Sequence, residues 1–299
     1  MNIEAELDEI DRIHDEAPAQ AAARLRTLDI AALPPERAAL AAFLFNHVLG
    51  EKCNAWSDAA QRLARLREQL PQPPLGVTLH AAVADQLAGC AESPARAALV
   101  AASSEPAASC AIALRRLGFT QQQMDTRSFA AALRDLALRA GTLVTGSPLD
   151  SQLAAGLNNT TSALLDTATD ANDPIVREAL RSGAAQALRF WQSAGTWVNH
   201  ERALYLVALV ANRVGDHAQA RDAVRQALDL IAASGTEEVD RAFLLLQLAG
   251  ALRALGADGA SDSAHAEARA IADTWTEAWL TEWFATEEAR LFGRKAEND

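Results

Sequence analysis

Six histidines punctuate the 299-residue chain, at His14, His47, His80, His200, His217 and His265. No H-E-x-x-H and no His pair one helical turn apart is present, so their spacing yields no metal-ligand set. His47 and Glu51 would meet on a helix, an arrangement that far more often makes a solvated or packed contact than a ligand or an acid-base pair. Cys53, Cys90 and Cys110 are odd in number and lack a C-x-x-C, which suggests neither a disulfide framework nor a thiolate zinc site and fits a reducing, cytoplasmic setting. There is no G-x-S-x-G, P-loop or G-x-G-x-x-G, and the stretch from Gly141 to Gly146 lacks the lysine and hydroxyl that a phosphate cradle needs. Asp166, Asp170, Asn172 and Asp173 lack the glycine and terminal glutamate of a calcium loop. No catalytic residue, metal or cofactor is assigned, and the chain reads as non-enzymatic.

Three clusters remain. The segment from Phe190 to Arg202 is the densest mixture of aromatic and hydrogen-bonding side chains, with Trp191, Trp197, Asn199, His200 and Glu201 placed to rim a pocket. The plainer reading has Trp191 and Trp197 packing a long turn between helices. Asn158, Asn159, Thr160, Thr161 and Ser162 interrupt an otherwise apolar helix from about Leu149 to Ala168; such residues compete for the backbone, so the block reads first as a solvent-facing stretch or helix break and second as a ligand-contacting patch. Trp275, Trp279 and Trp283 fall at i, i+4, i+8 on one expected helix, and Leu280 and Phe284 widen the stripe. Trp275, Trp279, Trp283 and Phe284 are therefore candidates for self-association into a homo-oligomer, against a capping helix folded wholly onto its neighbour.

The elements that must carry these residues are helical. Half of the chain is hydrophobic, roughly a quarter of it is alanine, and only 5% is aromatic, a skew that favours helices over strands. Apolar residues recur at three and four, and no run alternates as a strand would. Pro18, Pro34–Pro35, Ser93–Pro94, Glu105–Pro106 and Asp173–Pro174 mark helix starts, and Gly118, Gly141, Gly215, Gly235 and Gly256 mark stops. About fourteen helices joined by short turns follow, antiparallel to their neighbours. The formal charge of −12 argues against nucleic acid and anionic lipid as partners. The N-terminus is acidic where a secretory signal begins basic, and no stretch is long and apolar enough to span a membrane. The acidic amphipathic start, from Glu4 to Glu16 around Ile3, Leu7, Ile10 and His14, reads as a solvated outer face.

Inside the helices, Leu204, Val207, Ala208 and Ala211 precede the turn Gly215–Asp216–His217, and Ala220, Val224 and Ala227 follow it. Small residues at Ala208 and Ala220 let two helices of a hairpin approach closely. Similar phasing recurs at Leu245, Leu248, Ala249, Leu252 and Gly256 with Ala264, Ala268 and Ile271, and more faintly at Leu40, Phe43, Leu44 and His47 with Ala59, Leu63 and Leu66. The chain resembles a tetratricopeptide-like helical repeat with the period stretched to about forty residues. The resemblance covers residues 17–70 and 198–292; residues 75–195 are helical but unphased, leaving a different α-α superhelix or an irregular bundle open there. It implies a single domain over residues 1–299, an all-α superhelix of stacked antiparallel hairpins, subdivided at most into residues 1–70, 75–195 and 198–292. It also implies that Arg202, Tyr205, Leu209, Asn212 and Arg213 face a concave groove. The family's chaperone-tail carboxylate clamp is not matched, since its asparagine slot is Leu209.

The expected function is a non-enzymatic scaffold that takes a protein or peptide segment in this groove through Arg202, Tyr205, Asn212 and Arg213, two arginines and an asparagine that suit a carboxylate-bearing partner. The alternative is a small-ligand sensor or cryptic enzyme with a pocket near Trp191, Trp197, Asn199, His200 and Glu201.

Overall fold

The computed structural model describes residues 3–293. Those residues hold fifteen α-helices and no strand: α1 (Ile3–Ile13), α2 (Pro18–Thr27), α3 (Ala38–Leu44), α4 (Trp56–Gln69), α5 (Leu75–Leu87), α6 (Pro94–Ala102), α7 (Glu105–Thr120), α8 (Thr126–Gly141), α9 (Asp150–Thr167), α10 (Pro174–Ala194), α11 (Trp197–Arg213), α12 (His217–Ser234), α13 (Glu238–Ala254), α14 (Asp258–Ala272) and α15 (Ala278–Phe292). A π-helical segment, Phe45–Lys52, joins α3 to the turn before α4. The all-α architecture is as the composition and periodicity imply. None of these helices is long and apolar enough to cross a membrane. All three cysteines are free thiols, with Cys110 buried and its pKa pushed up to about 11 by desolvation.

The chain divides into two compact units, residues 1–156 and 157–299, and the division falls inside α9. In the first unit α5 is buried on almost every side and packs against α3, α4, α6 and α7. Its His80 is buried with a pKa driven well down by desolvation, and the Asn46 amide donates to the His80 carbonyl at 2.9 Å. Along the π-helical segment the Cys53 amide bonds to the Val48 carbonyl, five residues back. Gly50 lies there against the Trp56 ring, where a Cβ would collide. The acidic face of α1 is not simply solvated: Glu6 pairs with Arg24 of α2 at 2.6 Å, and Asp8 pairs with Arg37.

Proline and cap signals act as expected at most starts. Ser93 and Asp173 accept from Arg96 and Ile175 amides with proline at the next position. Ser104 caps α7, one residue before the expected start, and α7 runs through Gly118 to Thr120 because a helix interior tolerates one glycine when tertiary packing holds it.

In the second unit α10 packs on α11, α11 on α12, α12 on α13, and α13 on both α14 and α15. The alternate helices α11, α13 and α15 begin at Trp197, Glu238 and Ala278, 41 and 40 residues apart. The hairpin turns are alike. Gly215 and Gly256 sit at φ +80° and +77°, and the following amides of Asp216 and Ala257 reach back to the Ala211 and Leu252 carbonyls at 2.8 and 2.9 Å. That six-residue closure satisfies the last carbonyls of α11 and α13 and needs a residue that adopts positive φ cheaply.

Candidate functional site

Within the second unit, α9, α11, α13 and α15 each turn one face to a shared groove of about 1380 Å³. From α11 come Arg202, Tyr205, Leu209, Asn212 and Arg213, so every residue that the repeat phasing assigns to the groove lines it. These positions recur at three and four, one stripe of a helix whose opposite face buries Ala203, Leu204, Val207, Ala208 and Ala211. The block on α9 also contributes: Asn158 and Ser162, one turn apart, line the groove, while Thr160 and Thr161 are buried on the other side. α9 is unbroken through this block, and the Thr160 hydroxyl is turned onto the Leu157 carbonyl at 3.3 Å.

The groove's charges are mostly paired. Arg202 donates to Asp240 at 2.8 Å, Arg181 meets Asp216 at 3.4 Å, and Arg290 meets Glu287 at 2.5 Å. Asn212 donates to the Gln247 side-chain oxygen at 2.9 Å and to its carbonyl at 3.1 Å, joining α11 to α13. Two arginines differ. Arg213 donates to the Ala168 carbonyl at 2.7 Å and Arg177 to the Asn172 side-chain oxygen at 3.3 Å, and among the described residues neither is held by a carboxylate. The Arg177 Nε is buried without a hydrogen-bond partner. Burial raises the pKa of Glu287 above the usual carboxylate range, and burial beside Glu287 and Asp240 raises that of the Tyr205 hydroxyl.

The tryptophan stripe is split by the backbone. The expected helix does not reach Trp275, which lies in the turn before α15 because α14 ends at Ala272. Trp275 stacks on Phe243 at 5.9 Å between centroids, and Phe284 is buried against both rings. Trp283 leans on Phe243 at 4.2 Å but stays 44% exposed, and Trp279 is 63% exposed. Trp279 and Trp283 both line the groove.

The segment from Trp191 to Glu201 comprises the end of α10, a short turn at Gly195 and Thr196, and the first residues of α11. Asn199 accepts from the Thr196 amide at 2.9 Å and closes a capping box on α11. The Trp197 ring lies over Gly235, where a Cβ would sit 2.8 Å from it. His200 keeps a buried Nε2 without a partner, and neither Trp191, Trp197, Asn199, His200 nor Glu201 lines the groove. Glu201 is completely buried, and both of its carboxylate oxygens lack a hydrogen-bond donor. Desolvation, reinforced by facing Asp240, pushes its pKa up to about 8.

One group among the described residues has the composition and closeness of a metal-ligand set: His14, Asp15 and His47, in the first unit. Sequence spacing separates His14 from His47 by more than thirty positions, so no local motif announces it. No protein family matches the chain, and comparison with curated proteins finds no relative.

Proposed function

We propose that the second unit is a tetratricopeptide-like array whose groove binds an extended, carboxylate-bearing segment of a partner protein. The observation that carries this reading is the convergence of the alternate helices α9, α11, α13 and α15, joined by Arg177 and Arg181 of α10, on one groove. The near-constant 41- and 40-residue spacing and the matched glycine turns support the repeat assignment. Arg177 and Arg213 supply guanidinium groups not already held by carboxylates, suited to bidentate pairing with Asp, Glu or a chain terminus. Trp279 and Trp283 supply exposed aromatic surface of the kind that anchors a peptide. Arg202 plays a different part: its pairing with Asp240 makes it a strut between α11 and α13.

A peptide array sampling acidic and neutral segments, followed by fluorescence anisotropy on the best binder, tests the proposal. Acidic peptides should be captured, and Arg177→Ala, Arg213→Ala and Trp279→Ala should each weaken binding by roughly tenfold, as interface anchors do. Binding that survives all three replacements together would remove the groove from the mechanism.

A further inference from the structure

We propose that the first unit carries a zinc site built from His14, Asp15 and His47, with an open coordination face. The ligating atoms of the three residues lie within 4.8 Å of one another. His14 Nε2 is 3.3 Å from Asp15 Oδ2, and His47 Nε2 is 3.5 Å from Asp15 Oδ1. A tetrahedral zinc with bonds of about 2.0–2.1 Å has ligand-to-ligand edges of about 3.3–3.4 Å; each imidazole stands near that length from Asp15, His14 from Oδ2 and His47 from Oδ1, so a small rotation of the carboxylate brings one oxygen to both.

The rings are also oriented for the task. The His14 Nδ1 hydrogen bonds to the Asp11 carbonyl, and the His47 Nδ1 to Glu51 Oε2 at 2.7 Å. Each imidazole donates through Nδ1 and directs its Nε2 at Asp15; without metal the His47 Nε2–H donates to that carboxylate, and zinc would take the place of this proton. Carboxylate–histidine and carbonyl–histidine pairs of this kind fix the tautomer of metal-binding rings. Phe43 stacks on His47 at 5.1 Å and contacts the His14 ring edge-on at 6.3 Å, holding both in place. His47 and Glu51 stand on the π-helical segment, an irregularity frequent at functional sites. Here it brings them beside the turn that follows α1. Two imidazoles and one carboxylate are a borderline donor set suited to zinc, and the 65% exposure of Asp15 leaves the remaining coordination positions to water or a small ligand. Lys52, 3.0 Å from Asp15 Oδ1, balances that carboxylate in the absence of metal and competes with it.

Isothermal titration of the chelator-stripped full chain with zinc chloride, alongside cobalt(II) absorption spectroscopy, tests the site. We expect one zinc per chain and a visible cobalt band of four- or five-coordinate character. Asp15→Asn lies on an exposed turn and removes no packing; with circular dichroism unchanged, it should weaken zinc binding at least tenfold. Glu51→Gln should weaken it roughly tenfold to a hundredfold, as loss of a carboxylate behind a ligating histidine does. Lys52→Met should tighten it several-fold, whereas a merely structural Asp15–Lys52 pair would give no gain. His265→Ala serves as the control and should change nothing. Failure to bind one equivalent at micromolar concentration, or binding unaltered by Asp15→Asn, would overturn the assignment. So would binding lost in His265→Ala.

Discussion

Glu201 is a buried carboxylate in an environment that disfavours its charge. It is wholly buried, it faces Asp240, and neither of its oxygens receives a donor. Two ionised carboxylates cannot hydrogen bond to each other, so the pair gains a bond only when one is protonated, and desolvation selects Glu201 as the holder. Asp240 and Glu237 both favour the proton, and Arg202 opposes it. The folded-state pKa of about 8 exceeds the ordinary 4.5, so folding takes up a proton between those values. The stability from this group is complete below about pH 4.5, falls as pH rises, and is gone above about pH 8. Glu201→Gln keeps the shape, supplies a permanent donor toward Asp240, and removes the ionisation. The variant should be more stable than the parent at pH 8, on the order of 4 kcal/mol, with the gap closing toward pH 4.5. Urea unfolding at three pH values measures this; a gap that does not change with pH would show that Glu201 does not titrate there.

At the scale of elements, hairpins with local signals were legible and those shaped by distant neighbours were not. Gly215 and Gly256 announce their turns because only a positive-φ residue closes them without strain, and a glycine there is visible in one sequence. The groove face of α11 followed from the same phasing. The π-helical segment left no trace, since its register depends on Gly50 meeting Trp56 and on packing against α2, α4 and α7. The block on α9 misled for a related reason: five hydroxyl and amide residues suggest a break until one knows that α10 covers part of them. Gly183 of α10 lies directly on Thr161, whose buried hydroxyl has no partner. Gly183→Ala would gain about 1 kcal/mol of helix propensity in isolation. The new Cβ collides with Thr161, however, so a net loss of about 1–3 kcal/mol is expected, as overpacking a core gives. Adding Thr161→Ala should recover most of that loss. A double-mutant cycle by thermal unfolding checks it, and additivity of the two changes would mean that the helices do not meet at this point.

For the whole molecule, the question is whether copies associate. A stable homodimer buries roughly 800 Å² of surface on each partner, with an apolar core at its centre. Among the described residues the exposed large apolar side chains are Leu138, Val144, Leu255, Trp279 and Trp283, and of these only the two tryptophans share a helix. Trp275 and Phe284, which would have extended the stripe, are spent on Phe243 inside the second unit, and the Leu291 side chain packs at Gly250. A charge of −12 adds mutual repulsion between copies, which at 0.1 M salt is screened beyond about 10 Å and so acts at the close approach a dimer requires. Sequence alone could not decide between an associating stripe and a folded-down cap, because the decision rests on where the backbone turns between Ala272 and Ala278. With that turn placing Trp275 inward, light scattering after size exclusion should give a mass near 31.8 kDa at micromolar concentration. Trp279→Ala should leave that mass unchanged while weakening peptide binding. A dimer that Trp279→Ala dissociates would reverse the assignment, making the two exposed rings a contact between copies rather than an anchor for a partner segment.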